Sequence, residues 1–323
     1  MLVALAVLGV VVLVSVWVGL RDIPFTSTFG LLLRGDGSTE AVTIRDVRLP
    51  RALLAVLVGA ALGLAGAVTQ ALTRNPLADP GLLGVTMGAS TAVVVAIAFA
   101  GVGSVLGHVW WAMAGAAVTS VAVYVLGSAG RGVGTPDRLV LAGAALTAVL
   151  LAFNAAILLL RPEAFNQFRF WNVGSLAGRR FEVVAPIAPW VLAGVVVALL
   201  LARPLNALAL GDQAGRGLGA NVGLIRAVGV VVVTVLCGAA TAAAGPIVFV
   251  GLTVPHVARL LVGPDQRWVL PYSAVLAPIL LLASDVIGRL VVAPAELQVG
   301  IVTAFLGAPV FIALCLRRGL TRS

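Results

Sequence analysis

The residues equipped for chemistry in this chain are sparse and scattered. Two histidines and two cysteines occur in 323 residues, with Cys237 and Cys315 both inside apolar runs. That pattern excludes a disulfide framework and a cysteine-rich metal site, and the cysteines read as small packing hydrophobes. An enzyme embedded in a membrane would need a cluster of histidines or carboxylates, and none is visible. Asp285 and Arg289 stand four apart in the acid-first order that suits a helical ion pair. His256 and Arg259 fall near the end of an apolar stretch, where a cation complements a helix dipole. The chain contains no lysine, hence no phosphate-cradling loop ending in Lys-Ser or Lys-Thr. Any use of ATP would require another subunit.

Charges this isolated need elements that tolerate them, and composition says which. Hydrophobic residues make up 61% and charged residues 10% of the chain, against roughly a quarter charged in a soluble domain. Ala, Leu and Gly fill long runs without period-2 alternation. In lipid the backbone must satisfy itself, so such runs become helices. Ten spans are predicted near 2–20, 51–73, 83–101, 105–127, 138–160, 187–202, 222–243, 248–262, 269–289 and 299–316. The first, without a basic leader or a small-x-small cleavage site, reads as an uncleaved helix rather than a signal peptide. The eighth is too short to cross alone and follows the break at Gly245-Pro246. Residues 1–323 are predicted to form one membrane domain, all α-helical.

Within these spans, Gly59 and Gly63 share one helix face, with Gly66 beside them, a packing signature for close helix approach. Gln70, Thr73, Arg74 and Asn75 lead into Pro76-Leu77-Ala78-Asp79-Pro80-Gly81, a forced break that is either a tight turn or the lining of a path. Three longer polar connections remain, at 21–50, 161–186 and 203–221. The last begins at Arg203-Pro204, is punctuated by glycine, and has room for two short helices. The net charge of +9 comes from scattered arginines, which argues against nucleic acid. With the N-terminus inside, 11 of the 21 basic residues face inward and ten outward, so charge asymmetry does not set the orientation. Arginine retained on the outer face suits an acidic external partner.

Five blocks of sequence resemble the FecCD family of ABC-transporter permeases, which import ferric siderophores, haem or vitamin B12. They are Arg48-Leu-Pro-Arg51 onward through Asn75-Pro-Leu-Ala-Asp-Pro-Gly81, Trp171-Asn-Val-Gly-Ser-Leu-Ala-Gly178, Leu208-Ala-Leu-Gly-Asp212, Gly245-Pro-Ile-Val-Phe-Val-Gly-Leu-Thr-Val-Pro-His256, and Ala295-Glu-Leu through Gly300 to Pro309. The resemblance covers nearly the whole chain. It implies ten helices as in the vitamin B12 importer's permease, both termini cytoplasmic in the cell membrane, and a second permease subunit, identical or paralogous, around a shared path. It implies two ATPase subunits and an extracytoplasmic substrate-binding protein, and no cofactor or metal ligand of the chain's own. Carried over residue by residue, Arg48, Arg51 and Arg289 would dock the binding protein through its acidic residues. Leu210, Gly211, Asp212, Ala214, Leu218 and Gly219 match the helices that couple to the ATPase. Asn75 and Leu77 match the first loop of the cytoplasmic gate. Pro136 and Asp137 align with the second, where the B12 permease has small hydroxyl residues, and Gln298 stands where many members have proline.

The expected function is therefore that of a permease subunit for iron–siderophore complexes, with haem or vitamin B12 as alternative cargo. A stand-alone ion-coupled transporter is the rival from another class, but such proteins place ionisable groups at the bilayer midplane. The span centres here offer neutral groups such as Asn154.

Overall fold

The computed structural model describes residues 1–19, 23–24, 27–28, 30–31, 38–128, 136–217 and 219–320, with backbone only at Leu82, Pro136 and 313–320. Cys315 falls in that last stretch. Leu218, matched to the coupling pattern, lies outside the described residues, as does the side chain of Pro136.

Ten apolar helices correspond one for one to the predicted spans. They are α1 (Leu2–Trp17), α2 (Leu49–Thr73), α3 (Val85–Ala100), α4 (Val105–Ser128), α5 (Pro136–Leu160), α7 (Phe181–Leu200), α10 (Val222–Ala244), α11 (Val250–Val262), α12 (Gln266–Val291) and α13 (Val299–Leu320). Among the described residues the polar connections also hold helix: a short turn at Thr39–Val42 that continues as a π-helix at Thr43–Arg48, then α6 (Pro162–Asn172), α8 (Ala202–Ala209) and α9 (Asp212–Gly217). Over the described residues, six of the apolar helices are long and apolar enough to cross a bilayer. Among the described residues no strand occurs.

The bundle is organised around α2. Its face is stripped of side chains where neighbours cross: a Cβ at Gly59 would lie 2.6 Å from the backbone of Pro278, one at Gly63 2.5 Å from the Ser273 carbonyl, and one at Gly66 1.8 Å from the Gly251 carbonyl. Gly59 and Gly63 therefore seat α2 on α12, and Gly66 seats it on α11. This is how helices gain contact in lipid, where burial of apolar surface supplies no force between them and van der Waals packing must. On its other sides α2 packs against α10, which also touches α4 and α7. α1 leans on α12, while α5 covers α3 and α4 and leaves most of its own surface exposed.

α11 spans 13 residues, about 20 Å at 1.5 Å per residue, too short for a hydrocarbon core of roughly 30 Å. It meets Gly66 seven residues before α2 ends, so it starts at depth, about 10 Å inside that end of the bundle. Residues 245–249 bring the chain down to it from the opposite end without helical structure. Phe249, the residue before α11, holds a left-handed conformation (φ 68°) with its ring against Gly307 and Phe311 of α13.

Candidate functional site

Two polar assemblies lie at opposite ends of the bundle. The first surrounds the paired short helices. α8 buries Ala202, Leu205 and Leu208 along one face, whereas Leu210 at its tip is 65% exposed. Gly211 (φ 104°) makes the left-handed turn into α9, and Gly219 (φ 82°) makes the turn out of it. Ala214 and Gly219 are exposed, together with Gln213, Arg216 and Gly217.

Asp212 opens α9 and gathers two arginines. Arg226, one turn into α10 and 5% exposed, donates to both carboxylate oxygens at 2.9 and 3.0 Å. Arg74 at the end of α2 donates to Oδ1 of the same carboxylate. A second fastening joins α8 to the start of α12: the Asn206 amide donates to Asp265 at 2.6 Å and accepts from the Gln266 N–H at 2.9 Å. The Arg267 side chain and backbone N–H, with Asn206, hold the Asp265 carboxyl far below the usual carboxylate range. Sequence reading picked out Asp212 but not its partners. Arg226 inside an apolar span was the available signal, since a buried arginine requires an acceptor; which one, 14 residues away, no spacing rule states.

The break after α2 is a compact turn. Arg74 caps the helix in a left-handed conformation (φ 51°), the Asn75 side chain accepts from the Leu77 N–H at 2.9 Å, and the Asp79 side chain accepts from the Gly81 N–H at 2.8 Å. Burial raises the Asp79 carboxyl above its ordinary range, opposed by that hydrogen bond. A 3-10 turn at Pro80–Leu83 then leads into α3 and contacts α5. Pro80 lies against Gly251, so the turn reaches the buried start of α11. Just above it the buried Gln70 amide donates to the Leu252 carbonyl at 3.1 Å and accepts from Arg259. Asp137 is exposed in the first turn of α5. Among the described residues, no hydrogen bond or ion pair links Asn75 or Leu77 to Asp137.

At the opposite end, Arg48, Arg51 and Arg289 are 5%, 7% and 4% exposed. The resemblance led us to expect these arginines to dock an external partner; in the folded chain all three side chains are buried and engage groups of the chain itself. Arg51, on the first turn of α2, contacts Asp285 at 2.8 Å and Glu296 at 2.8 Å. Arg289 pairs with Asp285 at 3.0 Å, the i,i+4 contact its spacing suggested. It also donates to the Ser15 carbonyl at 3.0 Å, the Ser15 hydroxyl at 2.8 Å and the Val18 carbonyl. Arg48 donates to the carbonyls of Val16 and Trp17. The reason is the end of α1: its last carbonyls have no intrahelical donor and carry the negative end of the helix dipole. Three guanidiniums thus meet two carboxylates and a helix C-terminus, which offsets most of their charge. Sequence reading missed Glu296 as an acceptor, because it lies beyond α12 and only the folded chain brings it to Arg51.

Comparison with known proteins agrees with this architecture. Residues 7–317 match the model of the FecCD transport family. The ferric enterobactin transport system permease protein FepD of Escherichia coli is 46% identical over 321 residues, covering 98% of this chain and 96% of its own. The hemin transport system permease protein HmuU of Yersinia pestis is 38% identical over 283 residues, covering 86% and 84%. A solved structure of a metal-chelate type ABC transporter in an inward-facing conformation superposes with a TM-score of 0.86 at 28% identity, covering 97% of each chain.

Proposed function

The chain belongs to the FecCD transport family, and from that membership we propose that it is the permease subunit of an ATP-binding-cassette importer for iron–siderophore complexes. The observation that carries the cargo is the 46% identity over nearly the full length to a ferric enterobactin permease. In this reading the chain carries out no covalent chemistry: iron crosses inside its chelator, and ATP is hydrolysed by a pair of separate subunits. Two permease chains, identical or paralogous, would enclose the path in the cytoplasmic membrane, with both termini inside.

The end holding α8 and α9 would then be cytoplasmic. Leu210, Gly211, Asp212, Ala214, Leu218 and Gly219 would seat on the ATPase, a role supported by the exposed apolar tip at Leu210 and the glycine turns at 211 and 219. The turn at Asn75 and Leu77, with Pro136 and Asp137 at the start of α5, would form the inner gate. The opposite rim, braced by Arg48, Arg51 and Arg289, would receive the binding protein. Because their donors are engaged within the chain, these arginines would act by holding the shape of that rim.

A cell lacking its own permease of this family, supplied with this chain, its ATPase and its binding protein, tests the reading. Radiolabelled ferric siderophore should accumulate, and a hydrolysis-dead ATPase should abolish accumulation while a protonophore leaves the initial rate unchanged. Uptake of hemin or cobalamin in place of the siderophore would assign the alternative cargo. Uptake that persists without ATPase would reject the importer reading.

A further inference from the structure

Arg74 ends α2 and is the residue from which the turn at Asn75-Pro76-Leu77 departs, and its guanidinium reaches across to Asp212, 138 residues away on α9. The same carboxylate is held from the other side by Arg226, which is almost wholly buried in α10. One carboxylate therefore stands between a fixed cation and a cation attached to the turn.

The two arms differ in kind. Arg226 reaches both oxygens through its Nη2 from a buried position, so the packing around α10 fixes where this cation stands. The Arg74 side chain is 36% exposed and that of Asp212 33%, so their contact is solvated and belongs to the class of pairs that form and break readily. The left-handed backbone at Arg74 is an uncommon state for a residue with a side chain, and it stands at the hinge between helix and turn.

We propose that Asp212 is a positioning residue that transmits movement of α8 and α9 to the turn at 74–83, with Arg226 as the anchor and Arg74 as the moving arm. The proposal rests on the reading that α8 and α9 seat on an ATPase, and it adds the route by which that seat reaches the gate. When α9 tilts, Asp212 either carries Arg74 with it or releases it. In both cases the first residue of the turn changes its restraint, without any shift in the core of α2.

The test uses the assembled importer in lipid vesicles, reading substrate uptake and ATP hydrolysis in the same sample. Arg74→Gln should lower uptake per ATP hydrolysed on the order of tenfold, the size of a typical coupling between sites, with hydrolysis nearly unchanged. Asp212→Asn should lower the same ratio, while its hydrolysis is free to change because Asp212 also lies in the ATPase seat. The double variant should be no worse than the more severe single one, because both remove the same contact. Arg74→Lys should recover most of the ratio. Losses that add in the double variant, or uptake and hydrolysis falling together in Arg74→Gln, would overturn the transmission role. If Asp212→Asn fails to insert, the comparison of Arg74→Gln with Arg74→Lys decides, since both alter an exposed side chain. Leu210→Glu separates the two readings: if the ATPase still co-purifies with that variant and is still stimulated, the seat lies elsewhere, whereas the result at Arg74 and Asp212 stands on its own ratio.

Discussion

Arg51 shows how position along a helix and position in a fold make different demands on a residue. At the first turn of a span it could reach water, but here it serves Asp285 and Glu296 at once. Removing one partner of a buried ion pair leaves the other desolvated, typically at a cost of about 3–5 kcal/mol. Arg51→Ala should fall near the lower bound, because Asp285 keeps Arg289. Thermal unfolding of the detergent-purified chain should show the loss, while binding-protein affinity per folded molecule should change little. A stability equal to the parent combined with a large loss of affinity would place Arg51 in direct contact with the binding protein. The sequence made Arg51 conspicuous and the Asp285–Arg289 pair legible, since i,i+4 spacing is local. The inward turn was not legible, because the acceptors at Ser15, Val16, Trp17 and Val18 are ordinary carbonyls. Any sequence ends its helices with such groups, and only packing says which cation meets them.

Elements were the most readable scale. Hydropathy placed ten helices because each run must bury its backbone polarity in itself, and the glycines at 211 and 219 punctuated the stretch as left-handed turns do, the first separating α8 from α9 and the second ending α9. The break at Gly245-Pro246 announced that α11 would be short, but its depth follows from Gly66 on a different helix. The stripe at Gly59, Gly63 and Gly66 could be recognised as a packing face, though not its partners. Gly63→Leu tests that face. Its Cβ would already sit 2.5 Å from the Ser273 carbonyl, which is main chain and cannot step aside as a side chain could. The variant should accumulate poorly and be degraded, measured by blot of membrane fractions. An equal change at Gly9, whose added Cβ meets nothing within 4 Å, should leave the yield near that of the parent. Normal accumulation of Gly63→Leu would show that α2 and α12 can separate without harm.

At the scale of the molecule, the surfaces left exposed tell where movement is affordable. α2 and α12 are locked by the glycine stripe, and α1 is tied to them by the arginines. α5 by contrast shows most of its length to the outside and touches the Pro80–Leu83 turn. If the turn and the start of α5 form a gate, single cysteines at Leu77 and at Asp137, in a chain with Cys237 and Cys315 replaced by alanine, should label at rates that depend on nucleotide. Reagent applied from the cytoplasmic side to nucleotide-free and ATP-trapped complexes provides the measurement. Equal rates in every trapped state would place the gate elsewhere.

The bare face of α2 also carries a requirement for how the chain is made. α2 is threaded into the bilayer early, yet its partners on α11 and α12 begin some 200 residues later in the same chain. Throughout that interval the three glycines lack the helices they seat against, and the carboxylates that accept from Arg51 do not yet exist. A nascent chain in this state holds an arginine best placed at the headgroups, and α2 gains α12 as a partner only when the ninth span is inserted. The centre of the bundle can therefore close only after nearly all of the chain has been made, and a chain arrested before residue 285 lacks both carboxylates that Arg51 meets in the folded protein.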